Sequence, residues 1–139
     1  MIALDTNILA RYYVIHAADT ESARQHAQVV KTLTGKERFF VPKTVVLELE
    51  WVLRGFYAQP RNDILRVLDH LMAMPMVRVE DDSVVSAAID AYRAGLDFAD
   101  ALHLASAHGC ARLLTFDDRG FARPAARLKL MPAVVLPGR

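Results

Sequence analysis

The sequence predicts an α/β protein with a three-layer α/β/α arrangement, in which helices cover both faces of a central, mostly parallel sheet of about five short strands. Short apolar segments of strand length alternate with longer segments whose apolar residues recur at helical spacing. This alternation is typical of a parallel sheet covered on both sides. The 139 residues suit one sizeable core, so we expect a single domain over 1–139.

Five short apolar segments are bounded by residues that favour turns, and each has the length of a strand. We predict strands at 1–5, 38–42, 76–80, 111–116 and 133–136. The first of these, "MIALD", is expected to be buried, and Pro42 ends the second.

Six longer segments have the periodicity or the length of helices. We place them at 6–14, 19–34, 43–58, 61–74, 82–94 and 98–109. Asp19 or Thr20 is expected to cap the second helix, because short polar side chains accept hydrogen bonds from the first turn. Gly95 and Gly109 are expected to end the last two helices.

The segment 43–58 is the most ambiguous, because its β-branched residues and the alternation around Glu48 and Glu50 also suit a strand. Its length, without a breaker before Gly55, favours a helix. Four apolar side chains would share its core-facing side: Val45, Leu49, Val52 and Phe56. On this helix Glu48 would border the core and Glu50 would face water.

The composition narrows the class of protein. With 53% hydrophobic and 24% charged residues, the chain is expected to be globular. The N-terminus lacks the basic segment of a signal peptide, and no apolar stretch approaches the roughly 20 residues of a membrane span. We therefore expect a cytoplasmic protein without membrane contact. The single Cys110 excludes an internal disulfide and does not suit a thiolate metal site.

Basic residues are concentrated at the end of the chain, where residues 119–139 carry no acid. The five are Arg119, Arg123, Arg127, Lys129 and Arg139. Such a cluster is either a solvated charged face or a surface that contacts phosphates.

Acidic residues follow two of the predicted strands. Asp5 ends the first strand and precedes Thr6 and Asn7, while Asp117 and Asp118 follow the strand "RLLTF". Open sheets of this class carry their sites beyond the carboxyl ends of the strands. Both positions are therefore candidate site positions, although an aspartate there also starts turns or caps short helices.

Two further acids begin the helix 98–109. Asp97 suits the N-cap and Asp100 the third helical position, an arrangement that explains both residues structurally. Asp100 also enters the apolar part of the helix early and could lie over the strand ends. His103, three residues on, is more simply a core or surface residue of the helix.

Several ionised carboxylates share a pocket only around a cation, since otherwise their pKa values rise and some take up protons. Hard oxygen ligands select Mg²⁺ or Mn²⁺ over zinc. A carboxylate-bound Mg²⁺ activates water and stabilises developing charge on phosphorus and the leaving oxygen. The residues thus favour phosphodiester hydrolysis.

Four segments, in order, resemble the acidic motifs of PIN-domain ribonucleases, and most closely those of the VapC-type toxins. They are "IALDTNIL", "VVLELEWVL", "DFADALHLASA" and "LLTFDDRGF". The resemblance extends over nearly the whole chain. The resemblance implies a PIN-like fold with catalytic, metal-binding acids at Asp5, Glu48, Asp100 and Asp117. It matches Glu48 rather than Glu50, and Asp117 rather than Asp118. The supporting positions it implies are Thr6, Asn7, Asp97 and Thr115.

The resemblance also implies a function. It indicates a Mg²⁺- or Mn²⁺-dependent endoribonuclease that cuts structured RNA and acts as the toxin of a type II toxin–antitoxin pair. A VapB-like antitoxin would inhibit it by wrapping a C-terminal segment around the toxin, and a homodimer is common in the family. Arg119 and Arg123 would then face RNA phosphates.

Other classes fit the residues less well. A non-toxin PIN-type nuclease of RNA processing would have the same acids. A receiver-like signalling module normally has an acid pair after its first strand and a phosphoacceptor aspartate near mid-chain, where "RFFVP" has none. A phosphatase with an aspartate nucleophile would have an acid in place of Asn7, and a PIN fold without catalysis would have lost some of the four acids.

Overall fold

The computed structural model describes residues 1–15 and 19–138. It divides into two compact units, Met1–Glu80 and Asp81–Arg139, and each is described by itself. The α/β class and the parallel strands predicted from the sequence are confirmed, and the described ranges contain five strands. Arg139, part of the basic segment, lies outside the described residues. None of the helices in the described ranges has the length and apolar character needed to cross a membrane.

The first unit is built on a parallel sheet of three strands in the order β1-β2-β3. The strands are β1 (Ile2–Ala3), β2 (Phe39–Val41) and β3 (Val77–Val79). Phe39 of the central strand is opposite Ile2 on one side and Val77 on the other. The side chains of Phe39 and Val41 are fully buried, so β2 lies at the centre of this unit's core.

The prediction that the first strand is buried was wrong. Ile2 and Ala3 are exposed, and only Leu4 directly after them is buried. The reason is position, because β1 is an edge strand of the three-stranded sheet.

Four helices accompany this sheet. They are α1 (Thr6–Tyr13), α2 (Thr20–Leu33), α3 (Lys43–Gly55) and α4 (Arg61–Ala73). α1 packs against α2 and α3, and α3 packs against α4. Asp19 caps α2, because its carboxylate accepts a hydrogen bond of 3.1 Å from the Glu21 amide. Asp19 was one of the two residues predicted for this role. Large aliphatic residues fill the core, among them Leu9, Leu33, Leu53, Ile64 and Leu68.

α3 is a helix as predicted, but its buried face is not the predicted one. The face consists of Val46, Leu49, Glu50 and Leu53, a regular i, i+3, i+4, i+7 series. Glu50 is therefore 2% exposed, while Glu48 and Phe56 are exposed. The buried carboxylate of Glu50 accepts a hydrogen bond from Arg54 Nε at 2.9 Å, and this ion pair offsets the cost of burying its charge.

The second unit contains a parallel pair of strands and a helical pair. Its elements are α5 (Asp82–Arg93), α6 (Phe98–Ser106), β4 (Arg112–Leu114), a π-helical segment (Asp118–Ala122), α7 (Arg123–Arg127) and β5 (Ala133–Val135). Leu113 of β4 is opposite Val134 of β5. α5 packs against α6, and the rings of Tyr92 and Phe98 meet edge to face with centroids 5.3 Å apart.

The turn between α5 and α6 contains Gly95 with a φ of +114°, a backbone conformation that favours glycine. α5 ends at Arg93, one residue before the predicted end at 94, so this prediction is confirmed. α6 ends at Ser106, three residues before the predicted end, because 107–109 form turns that close with Gly109 at a φ of +86°.

Candidate active site

Asp5 lies between β1 and α1, directly before the first residue of the helix. Its backbone is extended, and its carboxylate accepts a hydrogen bond of 2.8 Å from the amide of Thr6. It is thus the N-cap of α1, a position where a carboxylate is favoured by the free amides and the helix dipole. The side chain is exposed. One oxygen is therefore held by the helix start, and the carboxylate still reaches the surface.

Asp5 lines a cleft of about 350 Å³ in the first unit, together with Asn7 and Glu48. Glu48 comes from α3, and the packing of α1 on α3 brings the two acids to one cleft although 43 positions separate them in the chain. Thr6 forms part of the wall and is buried, and its hydroxyl has no hydrogen-bond partner in the described residues. The first unit thus brings together four of the predicted site residues.

The same cleft carries residues that the sequence analysis did not single out as site residues. They are Arg11 of α1, Trp51 of α3, and Phe56 and Tyr57 directly after α3. The missed signal is the helical spacing of Asn7 and Arg11, which puts both on one face of α1. Phe56 was predicted to face the core because the predicted buried face of α3 was not the observed one.

In the second unit, Asp97 and Asp100 open α6. Asp97 is the N-cap, and its carboxylate accepts a hydrogen bond of 3.1 Å from the Asp100 amide. The capping role predicted for Asp97 is confirmed. Asp100 is half-buried, whereas Asp97 and His103 are exposed.

The environment of Asp100 disfavours its charged form. Burial raises the pKa of this carboxyl, and the nearby carboxylate of Asp97 raises it further. His103 acts in the opposite direction, and Asp117 adds a smaller increase. Asp97 and Asp117 therefore both repel the carboxylate of Asp100, and a bound cation would relieve this repulsion.

Asp117 and Asp118 have different environments. Asp117 caps the π-helical segment: its carboxylate accepts a bond of 2.8 Å from the Gly120 amide, and its own amide donates to Thr115 Oγ at 3.1 Å. Asp118 instead pairs with Arg123, whose guanidinium lies 2.8 Å from its carboxylate. Thr115 thus orients Asp117, and Asp118 already has a counter-ion.

Gly120 approaches the Asp117 carboxylate so closely that a side chain there would collide with it. A Cβ would lie 2.7 Å from one carboxylate oxygen and 2.9 Å from the other. We expect Gly120→Ala to displace this carboxylate and to reduce the RNA cleavage that the family resemblance implies by about ten- to a hundredfold, since misplacement by about 1 Å has such effects. The free energy of unfolding should change by less than about 1 kcal/mol, because a carboxylate can turn toward solvent.

The measurement is cleavage rate together with thermal unfolding. Gly55→Ala is the matched control, since its Cβ would meet no atom within 4 Å. Equal activity in Gly120→Ala and the wild type would show that the position of the Asp117 carboxylate is unimportant.

The donor chemistry of these residues fits a hard divalent cation. Carboxylates, an amide and an unpartnered buried hydroxyl are oxygen donors of the kind that Mg²⁺ takes. Within residues 1–15 and 19–138, no three acidic, histidine or cysteine side chains form a ready-made cluster for a metal ion. Mg²⁺ does not need one, because it usually binds one or two carboxylates and completes its shell with water and substrate phosphate.

The fold and these acids define a small α/β protein with exposed carboxylates at helix starts and after parallel strands. A family model described as PIN domain matches residues 2–127, so the chain belongs to the PIN domain family. PIN domains are generally nucleases, and they generally use divalent metals. A search of curated proteins found no match. Because the chain belongs to the PIN domain family, the alternative hypothesis of a receiver-like signalling module is no longer supported.

Proposed function

We propose that this protein is a Mg²⁺- or Mn²⁺-dependent endoribonuclease and the toxin of a type II toxin–antitoxin pair. The observation that carries the nuclease proposal is the cleft of the first unit, which Asp5 and Glu48 both line together with a buried hydroxyl that has no partner among the described residues. Both acids stand at positions that the resemblance assigns to the acidic motifs of PIN domains. The electrostatic repulsion around Asp100 supports the same reading for the second unit.

In this proposal Asp5, Glu48, Asp100 and Asp117 are the metal-binding carboxylates. A bound Mg²⁺ would lower the pKa of a water and stabilise the charge that develops on phosphorus and the leaving oxygen. The protein's own contribution is positioning. The Thr6 amide fixes one oxygen of Asp5, and the Gly120 amide fixes one oxygen of Asp117. Fixed acceptors of this kind reduce the reorganisation that the reaction requires.

The basic residues after Asp118 are proposed to contact RNA in different ways. Arg119 is exposed and has no partner in the described residues, so it is the better candidate for a phosphate contact. Arg123 is engaged by Asp118 and would have to exchange that partner for a phosphate. Loss of such contacts weakens binding and lowers its salt dependence.

The toxin role, the VapB-like antitoxin, the homodimer, the cytoplasmic location and the cleavage of structured RNA rest on the resemblance to VapC-type toxins. Electrostatics supports the antitoxin: a guanidinium pairs with carboxylates in a planar, bidentate manner, so an acidic cleft attracts arginine as well as a metal. An antitoxin arginine could therefore inhibit by occupying the acids.

The first experiment is RNA cleavage by the purified chain, free of any partner, in Mg²⁺, in Mn²⁺ and in EDTA. We expect discrete cuts in either metal and none in EDTA. Asp5→Asn and Asp100→Asn should each reduce the rate by at least about a hundredfold, which corresponds to a loss of about 3 kcal/mol of transition-state stabilisation.

The variants must be folded for this comparison, and asparagine preserves helix capping almost as well as aspartate. Metal-independent cutting, or full activity in both variants, would contradict the proposed site. Growth arrest on expression, relieved by a co-expressed antitoxin, separates a toxin from a non-toxin RNA-processing nuclease.

A further inference from the structure

The cleft of Asp5 and Glu48 contains an arginine whose hydrogen-bonding partners are neutral. Arg11 Nε donates to Gln25 at 2.7 Å, and Arg11 Nη1 donates to the Tyr57 hydroxyl at 3.1 Å. These two bonds fix the guanidinium, use two of its five N–H donors, and provide no carboxylate partner for its charge. The remaining donors suit an anionic group with several oxygens, as phosphate is.

Two large aromatic side chains border the same cleft and are exposed. Trp51 is 62% exposed and Phe56 is 78% exposed. Phe56 packs edge to face on Tyr57, with ring centroids 4.9 Å apart, so its ring is held although its outer face is open. Tyr57 in turn accepts the bond from Arg11, which links the aromatic side of the cleft to its cationic side.

We propose that Arg11, Trp51 and Phe56 form the part of the substrate site that holds an unstacked nucleotide, with Arg11 on a phosphate and the two rings on bases. Bases held on these rings have to be unpaired. This inference rests on the proposed nuclease function. Duplex RNA presents no free base faces, whereas splayed bases stack on aromatic rings.

The combination of groups in the cleft favours RNA over a protein as the occupant. The exposed rings share a cleft with a cation and with the two acids that are proposed to hold a metal. Cationic and aromatic side chains together are the groups that bind the phosphates and the bases of a single strand. An apolar surface that serves only to bind another protein would not require Arg11 to be held between two neutral acceptors.

Trp51 is the only tryptophan in the chain, so its fluorescence reports directly on this site. The experiment titrates the full chain in EDTA, where cleavage is absent, with a dodecamer of oligouridylate and with a blunt RNA duplex of the same length. We expect the single strand to quench Trp51 emission and to bind more tightly than the duplex. Phe56→Ala should weaken single-strand binding about tenfold, the effect of losing one stacked base.

Arg11→Gln should also weaken binding and lower the slope of log K against log salt by about 0.7, the value for one phosphate contact on a single strand. Arg11→Lys retains the charge and should retain the slope, which separates charge from a disturbed fold. The matched control is Arg66→Gln, since Arg66 pairs with Asp63 at 3.0 Å and does not line this cleft. It should bind like the wild type.

Unquenched Trp51, equal binding of the duplex, or an unchanged affinity in Phe56→Ala would overturn the inference. A Trp51 emission that changes with protein concentration but not with added RNA would also overturn the inference. The surface would then be a contact between copies of the chain. If the chain cuts RNA while Trp51 is unaffected, only this inference fails. If single strands quench Trp51 but no RNA is cut in any metal, the nuclease proposal fails while the binding site stands.

Discussion

Glu48→Ala is expected to reduce RNA cleavage by at least about a hundredfold while leaving the free energy of unfolding within about 0.5 kcal/mol of the wild type. Glu48 is exposed on α3 and lines the cleft with Asp5, so its loss removes a proposed metal ligand and little packing. Cleavage rates and chemical denaturation measure the two quantities.

Glu50→Ala, two residues further along the same helix, is the matched control and should behave in the opposite way. It removes a buried side chain and its bonds to Arg54 at 2.9 and 3.4 Å. We expect a loss of about 2 kcal/mol of stability, with cleavage per folded molecule retained. A folded Glu50→Ala protein that has lost cleavage, beside an active Glu48→Ala protein, would reverse the assignment of the two glutamates.

The second large effect is expected at Asp117. Asp117→Asn should lower cleavage by about a hundredfold, since the carboxylate next to Thr115 and Gly120 is proposed to bind the metal. The fold should be preserved, because asparagine also caps helical segments.

Asp118→Asn provides the control one residue away. Its carboxylate pairs with Arg123 at the surface, and such pairs contribute less than about 1 kcal/mol. Cleavage should therefore stay near the wild-type rate. If Asp118→Asn is inactive and Asp117→Asn is active, the ligand assignment has to move by one residue.

The sequence predicted the order and the type of most elements. Alternating short apolar segments and longer periodic ones are strong signals, and the five strands and six longer helices lie where the pattern indicates. Cap residues were also readable, because aspartate has a specific local function at helix starts: Asp19 and Asp97 both cap as expected.

The phase of α3 could not be read correctly, since apolar residues occupy almost every position from 45 to 53 and define more than one apolar face. In the folded protein the buried face of α3 is the one that contains Glu50. Arg54, four residues later, forms an ion pair with Glu50 and so reduces the cost of burying its charge. The i, i+4 spacing of this pair was the one available signal. Exposure of β1 depends on strand order, which no local pattern encodes.

The site was predictable only in part for a similar reason. The four acids stand in recognisable motifs, whereas Arg11 and Phe56 become site residues through the packing of α1 on α3 and the correct phase of α3. The close approach of Gly120 to Asp117 depends on the π-helical segment, which sequence periodicity does not reveal.

Asp5 and Asp117 each have two functions, since each caps a helical segment and presents a proposed ligand. Asparagine performs the first function but not the second, and one transition in the first base of an aspartate codon produces it. In evolution, catalysis can therefore be lost at either position in a single step without loss of the fold. Lineages of this protein are expected to yield folded descendants that lack the proposed cleavage activity and retain the proposed RNA-binding surface.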